Sequence, residues 1–132
     1  IYVADLGGHR IRKVAADGTV TTIAGNGSGA YLDGTGTSAQ FNEPWGLTVN
    51  ANKELLVADY LSKRVRLLIP GTGVVSTYAG DGNNGVTDGK LTAASFPGAW
   101  GIASDGKGNT YVVGPTGHAV QLISDPFKVC VP

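Results

Sequence analysis

An internal repeat with a period of 54 or 55 residues constrains the fold of this chain more than any other feature. The segment IYVAD at 1–5 recurs as LLVAD at 55–59 and, in weaker form, as TYVVG at 110–114. The same spacing relates RIRKV at 10–14 to RVRLL at 64–68. Matches at a nearly constant offset indicate a repeat architecture, in which each unit buries its apolar faces against its neighbours.

Each repeat unit is predicted to form short antiparallel strands. Apolar and polar residues alternate in 11–14 and 20–23, as in half-buried strands, and Asp17-Gly18 between them favours a tight hairpin turn. No long stretch has helical periodicity, and the 21 glycines interrupt every candidate. We therefore expect an all-β chain of eleven strands, near 1–5, 10–14, 19–24, 45–50, 55–59, 64–69, 74–79, 100–104, 110–113, 118–123 and 127–131.

Three motifs of the repeat point to one family. PWGLTV at 44–49, LVAD at 56–59 and HRIR at 9–12 follow the pattern of the NHL repeat, and the chain resembles the NHL-repeat β-propellers. The resemblance implies blades of four antiparallel strands: a first blade of three strands at 1–24, a second at about 45–79 and a third at about 100–131, joined by long loops at 25–44 and 80–99. Gly114 and Ala119 depart from the family pattern, so the third blade is expected to be looser or to end the array.

A ring of blades is incomplete in a chain of this length. Propellers close with four to eight blades, whereas the repeat predicts about two and three-quarters here. Two flanks would then expose apolar side chains beyond what soluble monomers tolerate. We expect further blades of a longer parent chain, of which this is an excised piece, or identical chains that form an oligomer or filament. The place of the missing inner strand is also expected to accept a strand from another chain.

The two long loops carry matched residues. Asp33 and Phe41 in the first loop correspond to Asp88 and Phe96 in the second. A catalytic centre needs its residues once, so this repetition favours a structural role. We expect the phenylalanines to anchor the loops in the core between blades.

A calcium site is one reading of the second loop. Asp81, Asn83 and, further on, Asp88 place oxygen ligands at spacings that calcium loops use, although turn-forming Asx side chains explain the same pattern. Calcium is therefore a candidate ligand, and no cofactor is required. His9 and His118 lie almost two periods apart without further ligands at zinc spacing, and no catalytic motif is found.

One rim of the blades supplies candidates for a binding face. Trp45 and Trp100 open inner strands near the channel mouth, where their rings would pack between blades or stack on a ligand. Asp5 and Asp59 close equivalent strands and are expected to accept hydrogen bonds either from the backbone or from Arg10 and Arg64, respectively. The remaining candidates lie in or beside the short turns of the same rim: His9, Arg10, Tyr60, Lys63 and Arg64.

Charge and local motifs bear on partners and compartment. Ten basic and ten acidic residues cancel, so nucleic acid is not an expected partner, and no apolar stretch is long enough for a membrane span. Asn26-Gly27-Ser28 is a glycosylation sequon, and the single Cys130 is either a buried thiol or a site of intermolecular pairing. We expect an extracellular or cell-surface location, with a cytoplasmic one as the alternative.

The function expected from these features is a non-catalytic scaffold or protein-interaction module, with protein partners or further blades. The family resemblance keeps two alternatives open, because some similar propellers are lyases and others bind RNA. One is a fragment of a lyase-like propeller enzyme whose catalytic residues lie in other blades. The other is an RNA-binding propeller, which salt-dependent retention of RNA would reveal.

Overall fold

The computed structural model describes residues 1–124, which form three antiparallel sheets side by side. Two short 3-10 helices, Gly36–Ser38 and Leu91–Ala93, lie in the long loops. The strands in chain order are β1 (Tyr2–Asp5), β2 (Arg10–Val14), β3 (Val20–Ala24), β4 (Gly34–Thr35), β5 (Pro44–Val49), β6 (Leu55–Asp59), β7 (Arg64–Ile69), β8 (Val74–Ala79), β9 (Gly101–Ser104), β10 (Asn109–Val113) and β11 (Val120–Ser124).

The sheets follow the repeat units. The first sheet has the order β1-β2-β3, the middle sheet β4-β8-β7-β6-β5 and the third β11-β10-β9. Every pairing between these strands is antiparallel, which confirms the predicted all-β class. The strand expected near 127–131, with Cys130, lies outside the described residues.

The middle sheet contains a strand that the repeat did not predict. Gly34 and Thr35 of β4 pair with Val75 and Val74 of β8, so four expected strands become five. The long loop from the first sheet therefore runs along the outer edge of the middle sheet before it returns to β5. This pairing covers an edge that would otherwise present free backbone groups.

The turns that join β1 to β2, β6 to β7 and β10 to β11 share one backbone geometry. His9, Lys63 and His118 occupy equivalent positions and have φ values of 51°, 55° and 48°. A positive φ is uncommon for residues other than glycine, so its recurrence reflects one turn geometry imposed by the hairpin. These turns set the position of the side chains on either side of them.

The apolar core lies between the sheets. One cluster joins the first and middle sheets around Ile11, Val57 and Phe41, and a second joins the middle and third sheets around Ala58, Val112 and Phe96. Phe41 and Phe96 are 0% and 1% exposed, which confirms that they anchor the two long loops between sheets.

The outer sides of the first and third sheets are open. All five residues of β6 in the middle sheet are buried, whereas Val3 in β1 is 42% exposed and Val120 in β11 is 68% exposed. β1 and β11 therefore resemble in sequence the covered strands of the middle sheet, yet within the described residues their outer sides face water. Within 1–124, no helix has the length and apolarity that a transmembrane span requires.

Candidate functional site

A buried arginine joins the first long loop to the middle sheet. Arg66 in β7 is fully buried, and its Nη1 donates hydrogen bonds to Asp59 Oδ2 at 2.9 Å and to the Gln40 carbonyl at 3.0 Å. Its Nη2 donates to Asp33 Oδ1 at 2.6 Å and to the Leu32 carbonyl at 2.9 Å. We call Arg66, Asp33 and Asp59 the loop clamp, because they fix the loop between β3 and β5 against β7.

Asp59 is the buried anion of the loop clamp. Its side chain is 0% exposed, and besides Arg66 it accepts a hydrogen bond from the backbone N–H of Asn42 at 2.7 Å. Burial raises the pKa of Asp59 above its ordinary value, although the hydrogen bonds and the charge of Arg66 act in the opposite direction. An ion pair that is buried to this extent contributes to stability only while both partners are present, because a single buried charge is costly.

Asp33 reaches a second strand of the same sheet. Its Oδ2 accepts the backbone N–H of Thr77 in β8 at 3.1 Å, and the Thr77 hydroxyl lies 3.2 Å from both carboxylate oxygens. The Tyr31 hydroxyl lies 2.7 Å from that of Thr77, and the Arg64 guanidinium stacks 3.9 Å from the centre of the Tyr31 ring. Residues 31–33 are therefore held by both β7 and β8.

Of the two partners predicted for Asp59, the structure shows a backbone N–H, that of Asn42, but not the Arg64 side chain. Arg64 is directly opposite Asp59 in the sheet, but its guanidinium donates to the carbonyls of Ser62 at 2.9 Å and Asp81 at 3.0 Å. Because Arg64 is bound to these two carbonyls, at a turn and at the start of a loop, the buried Asp59 carboxylate pairs with Arg66. Arg66 lies diagonally across the two strands from Asp59, on the same face of the sheet.

The same correction applies to the first sheet. Arg10 donates to the carbonyls of Gly8 and Asn26, both at 3.1 Å, so it holds the loop start as Arg64 does. The Asp5 carboxylate instead accepts the backbone N–H of Gly8 at 3.1 Å, and Arg12 Nη1 lies 3.9 Å from it.

The loop clamp differs between the three sheets. In the first, Asp5 and Arg12 occupy the positions of Asp59 and Arg66, yet their side chains are 40% and 32% exposed. In the third sheet, Gly114 replaces the aspartate and Gln121 the arginine. Gln121 keeps one bond of the set, from its Nε2 to the Ser95 carbonyl at 3.2 Å. The clamp is thus closed in the middle sheet, open in the first and reduced in the third.

Three of the candidate rim residues come together as an aromatic cluster, formed by Trp45, Tyr60 and Trp100. The Trp45 and Trp100 rings stack with centroids 4.7 Å apart and an interplanar angle of 28°. Tyr60 contacts both, at 5.7 Å from Trp100 and 6.1 Å from Trp45. Trp45 lies in β5 and Trp100 directly precedes β9 in the adjacent sheet, so this stacking is packing between sheets, while Trp45 stays 47% exposed.

The other rim candidates have structural contacts of their own. His9 accepts the backbone N–H of Glu43 on Nδ1 at 3.1 Å, which ties the first turn to the end of the long loop. Lys63 occupies the same left-handed turn position in the middle sheet. His9, Arg10, Lys63 and Arg64 therefore serve the turns and loop ends, and their binding role stays a prediction.

The calcium and glycosylation candidates lie in the loops. The Asp81 carboxylate accepts hydrogen bonds from the Asn83 backbone N–H and the Ser95 hydroxyl, both at 2.8 Å, and such bonds lower the pKa of Asp81. Asp88 is exposed, and within 1–124 no group of three His, Cys, Asp or Glu side chains converges. Asn26 is exposed and accepts the Ser28 N–H at 2.8 Å. Calcium binding and glycosylation stay predictions.

Sequence reasoning missed Arg66 as the centre of the site. The signal was available: Asp5 and Arg12 have the same separation as Asp59 and Arg66, and Asp33 lies in the loop between the two units. What the spacing could not show is that the loop turns back across the sheet far enough for Asp33 to reach Arg66.

Comparisons with known proteins agree with the repeat. The NHL repeat family profile matches residues 41–68. Human NHL repeat-containing protein 2 is 29% identical over 141 residues, which cover 98% of this chain and 19% of that protein. The bovine protein of the same name is 36% identical over 97 residues, which cover 70% of this chain and 13% of that protein.

Solved structures show the same architecture. A Bacteroides thetaiotaomicron protein of unknown function superposes with a TM-score of 0.86 at 26% identity, covering 93% of this chain and 32% of that one. An auxiliary nutrient binding protein from Bacteroides ovatus superposes with a TM-score of 0.69 at 28% identity, covering 84% and 31%. The chain thus spans about a fifth or less of the curated relatives and about a third of these solved chains.

Proposed function

Because this chain is built of NHL repeats that fold as blades of a β-propeller, we propose that it acts as a non-catalytic assembly module that binds further protein through its first sheet. The surface concerned is the side of the first sheet that faces away from the middle sheet. We call it the open face, and its residues are Val3, Asp5, Arg12, Val14 and Val20.

One observation carries this proposal: the open face repeats a surface that is covered in the middle sheet. Val57 and Val75 of the middle sheet are 0% and 2% exposed, because the first sheet and its loop pack on them. Their counterparts Val3 and Val20 are 42% and 51% exposed. The same residue types at the same strand positions are therefore buried in one sheet and in water in the other.

The energetics favour a bound partner. Each square ångström of apolar surface removed from water contributes about 25 cal/mol, so covering several valines at once gives a substantial driving force. A blade stabilises its neighbour through such faces rather than alone. The polar side chains of the rim also hold turns and loops, which supports a scaffold role for this segment.

The proposal is tested on the 132-residue chain by sedimentation equilibrium and by binding of the dye ANS. We expect ANS fluorescence or self-association, and the double variant V3E/V20E should reduce both because it places carboxylates on the open face. The matched control T21E changes an exposed residue of β3, the strand that contains Val20, and should leave both readouts unchanged. A folded monomer that binds no ANS would contradict the proposal.

A further inference from the structure

We infer that the partner of the open face is a polypeptide loop with the chemistry of residues 30–42 of this chain. That chemistry is a Tyr-Leu-Asp triplet followed, eight residues after the aspartate, by a phenylalanine. The inference rests on the proposed function and names its partner. Its anchor is the guanidinium of Arg12, which would bind the incoming carboxylate and adjacent backbone carbonyls.

The receptor for such a loop is already present in the first sheet. In the middle sheet the loop is held by four side chains: Asp59, Arg64, Arg66 and Thr77. All four have identical counterparts at the repeat spacing in the first sheet, namely Asp5, Arg10, Arg12 and Thr22. The third sheet lacks the set, because Gly114, Ala119 and Gln121 replace the first three. The recognition set is therefore specific to two of the three sheets.

The charge on the open face is incompletely paired. Arg66 makes four hydrogen bonds, two of them to carboxylates of the loop clamp. Among residues 1–124, the carboxylate closest to Arg12 is that of Asp5, and the distance of 3.9 Å is too long for a hydrogen bond. An incoming aspartate would accept a charge-assisted hydrogen bond from Arg12, as Asp33 does from Arg66, and such bonds are about twice as strong as neutral ones.

The apolar part of the open face fits the phenylalanine. Phe41 packs in the cluster that includes Val57, Leu68 and Val75. The counterparts of those three residues, Val3, Val14 and Val20, line one open hollow on the first sheet. A partner with both an aspartate and a phenylalanine would therefore match the charge and the hollow at once.

A second copy of the described residues does not offer this loop. Phe41 and Phe96 are both buried between sheets of their own chain, and Asp33 is bound to Arg66. Residues 1–124 of another copy would have to open their own core to donate either loop. The occupant is therefore other polypeptide of the same loop chemistry, as a further NHL repeat would provide.

The test uses a fluorescein-labelled peptide of residues 29–43, GAYLDGTGTSAQFNE, titrated with the full chain and followed by fluorescence anisotropy. We expect saturable binding that weakens about tenfold or more with Arg12→Gln in the protein or Asp33→Asn in the peptide. The matched control is Lys13→Gln, which removes the same charge from the next residue of β2 and should change affinity less than about twofold. A peptide with Phe41→Ala should also bind more weakly.

Two results would overturn the inference. One is no saturation up to about 1 mM protein, which means no useful affinity; the other is binding that neither Arg12→Gln nor Asp33→Asn weakens. Either would leave the proposed function intact if ANS binding and sedimentation still show an open face. Should Arg12→Gln fail to fold by circular dichroism, the Asp33→Asn peptide on the unmodified chain decides the matter alone.

Discussion

Replacing Arg66 with glutamine tests the loop clamp directly, because Gln121 is the natural residue at that position of the third sheet. The substitution leaves the Asp59 carboxylate 0% exposed without a charged partner, although the Asn42 N–H still donates to it, and it removes the donor to the Leu32 carbonyl. Removing one partner of a buried ion pair costs about 3–5 kcal/mol of unfolding free energy. Asp33 adds little to this cost, because its side chain is 44% exposed.

The equivalent substitution in the first sheet is the control. Arg12→Gln removes the same side chain from a pair that is 3.9 Å apart and about one-third exposed, so its expected cost is about 0–1 kcal/mol. The comparison holds the chemistry and the strand position fixed and varies only burial. The Arg66→Gln cost should also increase as pH rises, because Asp59 without its charged partner can hold a proton at the lower pH.

Urea unfolding followed by circular dichroism measures both variants. With an m-value of about 2 kcal/mol/M, a loss of about 4 kcal/mol lowers the midpoint by about 2 M, whereas Arg12→Gln shifts it by less than about 0.5 M. In the double variant D59N/R66Q no buried charge is stranded, so the loss should be smaller than the sum of the single losses. Equal midpoints for Arg66→Gln and Arg12→Gln would refute the reasoning.

Two further predictions follow from burial. Burial raises the pKa of Asp59 in the folded state above its ordinary value of 3.8. Just above pH 3.8 the folded chain therefore holds a proton that the unfolded chain has released, so the free energy of unfolding should fall as pH rises from 3.8 through the folded-state pKa. Asp59→Asn should remove this slope from urea midpoints measured against pH. Asp81, whose pKa is lowered, contributes the opposite slope below 3.8. Amide hydrogen exchange should be slowest in β6, where all five residues are buried, and faster in β1 and β11; uniform exchange rates across the three strands would contradict this gradient.

Local pattern was sufficient to predict the loop anchors and every described strand except β4. Alternation in 11–14 and 20–23 reflects which face of each strand is covered, a property that each residue contributes independently. Phe41 and Phe96 could be assigned to the core because a large apolar side chain at a repeated loop position has few other uses. These predictions needed no knowledge of the path of the loop.

The loop clamp and β4 depended on that path. Asp33 and Arg66 are 33 residues apart in sequence, and only the return of the loop along β8 brings them to 2.6 Å. Arg64 is predicted, as the alternative to the backbone, to pair with Asp59 because adjacent strands place the two residues opposite each other, which is true of their backbones. Side-chain reach then favoured the diagonal Arg66, and a one-dimensional pattern contains no information on that choice.

The role of the loop clamp is better explained by register than by net stability. A buried ion pair is often no more stabilising than well-packed apolar residues, and the third sheet holds its loop with Gln121 and Phe96 without the pair. The ion pair instead penalises a misplaced loop. If the loop shifted by one residue, Asp33 would no longer reach Arg66, and the buried Arg66–Asp59 pair would lose one of its hydrogen-bond partners. In an array whose blades all share one apolar pattern, such a penalty selects the correct neighbour among similar ones. The open set on the first sheet, Asp5 with Arg12, would then select its partner by the same rule.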